Sequence, residues 1–285
     1  MAGELHNLSA NELIELYRSK KASPVDAAKS VLQQIDKLQP TYNAFCVIDQ
    51  ERTLEDARAS EDRWNKGEPI GLVDGIPTTI KDLMLSKGWP TLRGSKTVER
   101  AQVWNEDAPI VARMRSHGAV FVGKTTTPEF GWKGVTDSPL TGSTKNPWDP
   151  QKTPGGSSGG AAVAAALGMG TLNIGSDGGG SIRMPAGFCG IYGIKPTFGV
   201  VPAYPQSSMG SLSHHGPMTR TVADAALMLT VISQPDPRDW YAGPFREINY
   251  HHDLCKGIKG LRVAYSRALG YAKVASHVAE TIEKS

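Results

Sequence analysis

The residues best suited to chemistry crowd into one stretch, 155 to 199, which holds fourteen glycines but only three charged residues, Asp177, Arg183 and Lys195. A flexible glycine-serine linker would carry polar filler. This stretch instead interleaves Ala161 to Leu167, Leu172 to Ile174 and Ile191 to Ile194. An apolar, nearly uncharged run of this kind reads as buried, with glycines that let backbone pass close to a neighbour. Backbone amides gathered round a pocket suit an anion or an oxyanion. Three chemistries compete for such a site. Gly175-Ser176-Asp177-Gly178-Gly179-Gly180-Ser181 lacks the lysine of a phosphate loop, and no G-x-G-x-x-G opens a helix here. Gly156-Ser157-Ser158-Gly159-Gly160 fits G-x-S-x-G with Ser158 as nucleophile, and His214, His215, His251, His252 and His277 follow it. That motif needs a strand before it, however, and here Asn146-Pro147-Trp148-Asp149-Pro150 and Pro154 stand in its place. The third chemistry uses serine nucleophiles and a lysine base whose charged form is disfavoured by burial. Lys81 ends the run Gly75-Ile76-Pro77-Thr78-Thr79-Ile80-Lys81-Asp82, whose apolar members can supply that burial. A lone lysine at a strand end is otherwise a surface residue.

The elements that would position these residues are marked by local signals. Ser9 with Glu12, Ser23-Pro24 with Asp26, and Thr221 with Asp224 each place a hydroxyl cap three residues before a carboxylate at the start of an apolar-periodic run. A polar helix is predicted from Glu51 to Lys66, and another from Asp107 through Met114 to Gly118, where glycine can close it. A last helix is predicted to begin near Val274. Strands are predicted at Phe45 to Ile48, Ile76 to Ile80, Val120 to Val122, Leu172 to Ile174 and Leu261 to Tyr265. Strands alternating with helices of this length imply an α/β sheet covered by helices on both faces. With no repeat and no linker-like tract, the chain reads as one domain, 1–285, with a helical arm over 1–66 and a catalytic core over 67–234.

Composition narrows the class. The 285 residues include 31 glycines and 19 prolines, about 18% of the chain against the usual ~12%. This excludes coiled coils and charged disordered chains. A net charge of +3 gives no concentrated field for a polyanion, so no nucleic-acid partner is expected. No apolar run reaches the ~20 residues of a membrane helix, and the segment from Met1 to His6 lacks the basic start and apolar stretch of a secretory signal. Cys46, Cys189 and Cys255 are widely spaced with no CxxC. The expectation is a cytoplasmic protein without a membrane partner. The adjacent pairs His214-His215 and His251-His252 would point to opposite sides of an extended chain, so no metal is assigned.

Taken in order, these pieces resemble the amidase signature family. Pro154 to Gly160 matches its P-G-G-S-S-G-G block, and Asp177, Gly179, Gly180, Ser181, Ile182 and Arg183 match D-x-G-G-S-[IV]-R. The run Gly75 to Asp82 is similar to the family's lysine motif. Gly123-Lys124-Thr125 with Pro128-Glu129-Phe130, Asn146-Pro147-Trp148, Phe188-Cys189-Gly190 with Gly193 to Thr197, and Gly216 to Arg220 fit its other landmarks. The resemblance implies a mixed, mostly parallel central sheet and a hydrolase that cleaves the C–N bond of a small or aryl amide through an acyl-enzyme. It implies Ser181 as nucleophile, Ser157 as the bridging serine on a cis peptide, and Lys81 as base. It places the oxyanion hole on the amides of Gly178, Gly179 and Gly180, with that of Ser181. Asp177 and Arg183 form a supporting pair with Ser158, and Gly131 and Trp132 fall where the family lines its substrate pocket.

The resemblance implies no cofactor and no metal, a small-molecule amide as partner, and compatibility with a homodimer. Gly178 departs from the threonine, isoleucine or alanine usual in the family. Members of the family are longer, so the C-terminal part of the fold is expected to be missing from these 285 residues. Alternative readings are the glutaminase component of a tRNA-dependent amidotransferase, a carbamate hydrolase, and an inactive fragment that acts only in assembly.

Overall fold

The hydroxyl caps act as their spacing predicts. In the computed structural model, which describes residues 4–252 and 254–285, the Ser9 and Ser23 side chains each accept from the amide three residues on and receive a carboxylate in return. They start α1 (Ala10–Arg18) and α2 (Pro24–Tyr42). Residues 1–3 of the amino-terminal segment lie outside the described residues. The chain continues through β1 (Phe45–Ile48), α3 (Gln50–Lys66), β2 (Pro77–Lys81), α4 (Pro109–Ser116) and β3 (Val120–Thr125). A short ribbon, β4 (Asp137–Ser138) with β5 (Gly142–Ser143), leads to α5 (Gly159–Ala166), β6 (Leu172–Asp177), α6 (Arg183–Cys189) and β7 (Tyr192–Gly193). Last in this part come β8 (His214–Thr219) and α7 (Val222–Ile232).

The main sheet has the order β1-β3-β2-β6-β8-β7. The three central strands, β3, β2 and β6, are parallel, while β1, β8 and β7 join by antiparallel pairing. Four of the six strands therefore run one way. Neighbouring residues of β3 face opposite sides, as the pleat requires. Phe121 joins a core with Leu13 of α1, Met114 of α4 and Met228 of α7, and Val122 joins a second core with Ile35 of α2 and Ala161 of α5. Helices thus cover both faces. The segment read as a helical arm also supplies β1, whose Phe45 pairs with Thr125, so it is woven into the sheet.

The chain divides into two compact units, Met1–His252 and Asp253–Ser285. In the second, the described residues hold a helical turn at Leu254–Lys256 and α8 (Ser276–Glu283). The strand expected at Leu261 to Tyr265 is absent, because no partner strand pairs with those residues and an isolated extended segment has no ladder to hold it. The Thr221 cap is half formed. Thr221 accepts from the Asp224 amide, but Asp224 Oδ1 turns to accept from Ala10 N at 2.9 Å and so fastens α7 to α1.

Candidate active site

Lys81 is the last residue of β2 and is fully buried. Its Nζ donates to Ser157 Oγ and Ser158 Oγ at 2.8 Å each, and to Ser176 Oγ at 2.9 Å. Burial strips water from the ammonium, and although the Asp177 carboxylate favours the charged form, the lysine is pulled down to about 7. The pleat turns the next side chain, Asp82, to the other side of the strand. There it pairs with Lys124 of β3 at 3.0 Å, and both are buried.

Two glycine-rich loops bring serines to that amine. The first, before α5, carries Ser157 and Ser158, with the Gly156–Ser157 peptide in the cis form. Thr136 Oγ1 donates to Gly155 O at 2.8 Å and accepts from Gly159 N at 3.1 Å, which fixes the loop from both ends. Gly156 is required by close approach: a Cβ there would lie 2.6 Å from Val135 O. The Ser158 hydroxyl is fully engaged, since it donates to Ser176 O at 3.1 Å and accepts from Ser176 N and Lys81 Nζ. No histidine reaches Ser158 among the described residues, and residues 144–157 leading into it form no strand, so the nucleophile-elbow geometry is not formed.

The second loop follows β6 and carries Ser181. Asp177 organises it. Burial alone would raise this carboxyl, but the Arg183 fork at 2.9 Å on both oxygens, with the amides of Gly180, Ile182 and Arg183, holds it down to about 2. The Gly180 amide is therefore spent on Asp177, at 2.7 Å. The amides of Gly178, Gly179 and Ser181 have no acceptor among the described residues. Gly180 sits at φ +115°, where glycine is favoured. The two loops are tied directly, Ser158 N donating to Ser181 O at 3.1 Å.

A cavity of about 480 Å³ opens over this arrangement, lined among others by Ser157, Ser176, Ser181, Gly178, Gly131 and by residues 204–209. Trp132 is 76% exposed and does not line it; Phe130 does. Sequence reasoning named Lys81, Ser157, Ser158, Asp177, Arg183 and the loop glycines, but missed Ser176 as the third hydroxyl on the lysine. A polar residue inside an otherwise apolar, buried run was the available signal, since such a group needs a partner. It also missed Arg93, which lines the cavity from a loop with no motif, and weighed His215 only as a metal ligand or a partner of Ser158.

The amidase family profile matches residues 26–285, most of the chain. The chain belongs to the amidase signature family. As a member, it is 42% identical over 271 residues to an acylamidase of Rhodococcus erythropolis, covering 95% of this chain and 57% of that protein. It is 40% identical over 261 residues to a glutamyl-tRNA(Gln) amidotransferase subunit from Carboxydothermus hydrogenoformans, covering 91% and 54%. Its fold matches the crystal structure of a bacterial aryl acylamidase of the amidase signature enzymes with a TM-score of 0.87 at 33% identity, covering 97% of this chain and 58% of the other. This amidase-signature chain thus spans a little over half the length of the relatives it matches. No helix among the described residues is long and apolar enough to cross a membrane.

Proposed function

We propose that this chain carries the acyl-transfer centre of an amide hydrolase, with Ser181 as nucleophile, Ser157 as proton relay and Lys81 as base. The observation that carries the reading is a buried lysine, pulled down to about 7, hydrogen-bonded to Ser157 in the cavity that Ser181 also lines. A neutral amine has two N–H groups and one lone pair. Ser158 has already given its own hydrogen to Ser176 O, so it accepts from Lys81 and cannot supply a proton. The lone pair is then available to the Ser157 hydroxyl, which in turn draws the proton from Ser181 as that oxygen attacks the carbonyl. The proton returns through Ser157 to the departing amine, and water releases the acid from Ser181.

The developing oxyanion would meet the amides of Gly178, Gly179 and Ser181. Each such donor is typically worth ~3 kcal/mol of barrier. Gly180 serves differently from its neighbours: by donating to Asp177 it holds the loop so that theirs stay unpaired. Asp177 and Arg183 support the loop and touch no reacting atom.

Treatment with an alkyl fluorophosphonate followed by peptide mass spectrometry tests the assignment. The adduct is expected on Ser181 and should be lost in Ser181→Ala. An adduct on Ser158, or turnover of an acyl anilide that survives Ser181→Ala, overturns it. The likeness to a glutamyl-tRNA(Gln) amidotransferase subunit favours a second reading, the release of ammonia from glutamine inside a larger complex. Glutamine hydrolysis that appears only on addition of partner subunits would select it.

A further inference from the structure

Among the described residues, Arg93 is the single charged residue lining the catalytic cavity, and no acidic residue lines it. The other charged groups near the reacting atoms are matched. Asp177 pairs with Arg183, Lys124 pairs with Asp82, and Lys81 approaches neutrality at about pH 7. Arg93 is half-buried, and its guanidinium has neither an acidic partner nor a hydrogen bond among the described residues.

Its backbone is nevertheless held firmly. Arg93 O accepts from Phe130 N at 2.8 Å, and the next amide, Gly94 N, donates to Asp82 Oδ2 at 3.3 Å. Arg93 and Phe130 both sit in the left-handed region, at φ +57° and +51°. That conformation is uncommon for side chains of this size and persists where surrounding contacts impose it. Two such residues, joined to one another on the cavity wall, mark a constrained position. A second unpartnered group faces the same cavity. His215, opposite Ser176 in the β6–β8 ladder, is only 8% exposed, and its Nδ1 has no hydrogen-bond partner among the described residues.

From this arrangement we infer that the cavity selects amides bearing a carboxylate, with Arg93 as the specificity-determining residue that binds it and His215 as an adjoining hydrogen-bonding group. The guanidinium fork matches a carboxylate with two parallel N–H bonds, which a lysine cannot reproduce. A half-buried cation facing a cavity without acidic lining attracts an anion with less screening than on open surface. The inference deepens the amide-hydrolase reading and rests on it.

The test measures how much of each protectant halves the rate at which a neutral fluorophosphonate labels Ser181. Two near-isosteric pairs are compared: 4-anilino-4-oxobutanoate with 4-anilino-4-oxobutanamide, and 4-acetamidobenzoate with 4-acetamidobenzamide, so that the carboxylate lies on either side of the amide bond. In the wild type, at least one carboxylate-bearing member is expected to protect at concentrations about 30-fold lower than its neutral isostere, as a charged hydrogen-bonded pair allows. The advantage should shrink with added salt and fall to less than about 3-fold in Arg93→Gln. Arg93→Lys, which keeps the charge but loses the fork, should retain an intermediate preference and carries the comparison if circular dichroism shows Arg93→Gln unfolded. Equal protection by charged and neutral members of both pairs, or a preference that survives Arg93→Gln, overturns the inference and leaves the amidase reading standing. Failure of Ser181 to label at all overturns both.

Discussion

Acylation of Ser181 should follow the deprotonation of one buried lysine. With Lys81 titrating at about 7, its neutral fraction is about 1% at pH 5, half at pH 7 and about 99% at pH 9. The second-order rate constant for labelling by a fluorophosphonate should therefore rise about 100-fold from pH 5 to pH 9, with unit slope below pH 7 and a plateau above pH 8. The cause is specific: burial disfavours the ammonium and Asp177 opposes it only in part. Rates are measured by adduct mass at timed intervals and corrected for the reagent's own hydrolysis, with Lys81→Ala as the control that should lose the pH-dependent component. In Asp177→Asn the midpoint should move below 7, because the charge that favours the ammonium is gone. An inflection near 10.5, the ordinary lysine value, would refute the burial argument. An inflection near 4, where burial and the nearby Lys81 bring His215, would assign the base to the histidine instead.

Stability should carry the same signature. The folded chain holds Lys81 at about 7 while an unfolded lysine titrates at 10.5, so between those values the unfolded chain binds more protons and stability rises with pH. The difference in urea unfolding free energy between wild type and Lys81→Met should grow in favour of the wild type from pH 7 to pH 9; a constant difference would contradict it. Asp177→Ala leaves a guanidinium and three amides without their acceptor, and is expected to cost about 3 kcal/mol in urea unfolding. Arg183→Ala removes a half-exposed partner and should cost about 1 kcal/mol or less. Gly180→Ala, forced to φ +115° with its Cβ 3.2 Å from Met184 Cγ, should lose about 1–3 kcal/mol. Gly179→Ala meets nothing within 4 Å and should stay within about 0.5 kcal/mol of wild type, so equal losses at the two positions would contradict this account of the loop.

Local chemistry was readable wherever a short segment carries its own partners. The Ser9 and Ser23 caps, the polar helix ending at Lys66, the edge strand Phe45–Ile48 and the central strand Pro77–Lys81 form close to where spacing places them. Elements that pairing decides against the propensity of their own residues were not readable. Strand β8 contains Gly216 and Pro217, poor strand residues, and exists because β6 and β7 clasp it on both sides. Leu261 to Tyr265 has the opposite fate, with good strand residues and no partner. The Asp224 carboxylate left its own cap for Ala10, 214 residues away in the chain.

Residue type and spacing were enough to name the groups proposed to react: two glycine-serine loops, the serines within them, a lysine at the end of an apolar run, and the carboxylate that folds the second loop round itself. Packing in three dimensions was needed to show that Lys81 is dry, that Ser176 is its third hydroxyl partner, that Gly180 spends its amide on Asp177, and that Arg93 lines the cavity without a partner among the described residues. Residue type and spacing act through neighbours a few positions apart and so are written locally. Desolvation and the convergence of β2, α5, β6 and the loop at Arg93 depend on which distant segments exclude water together, a property no single segment possesses.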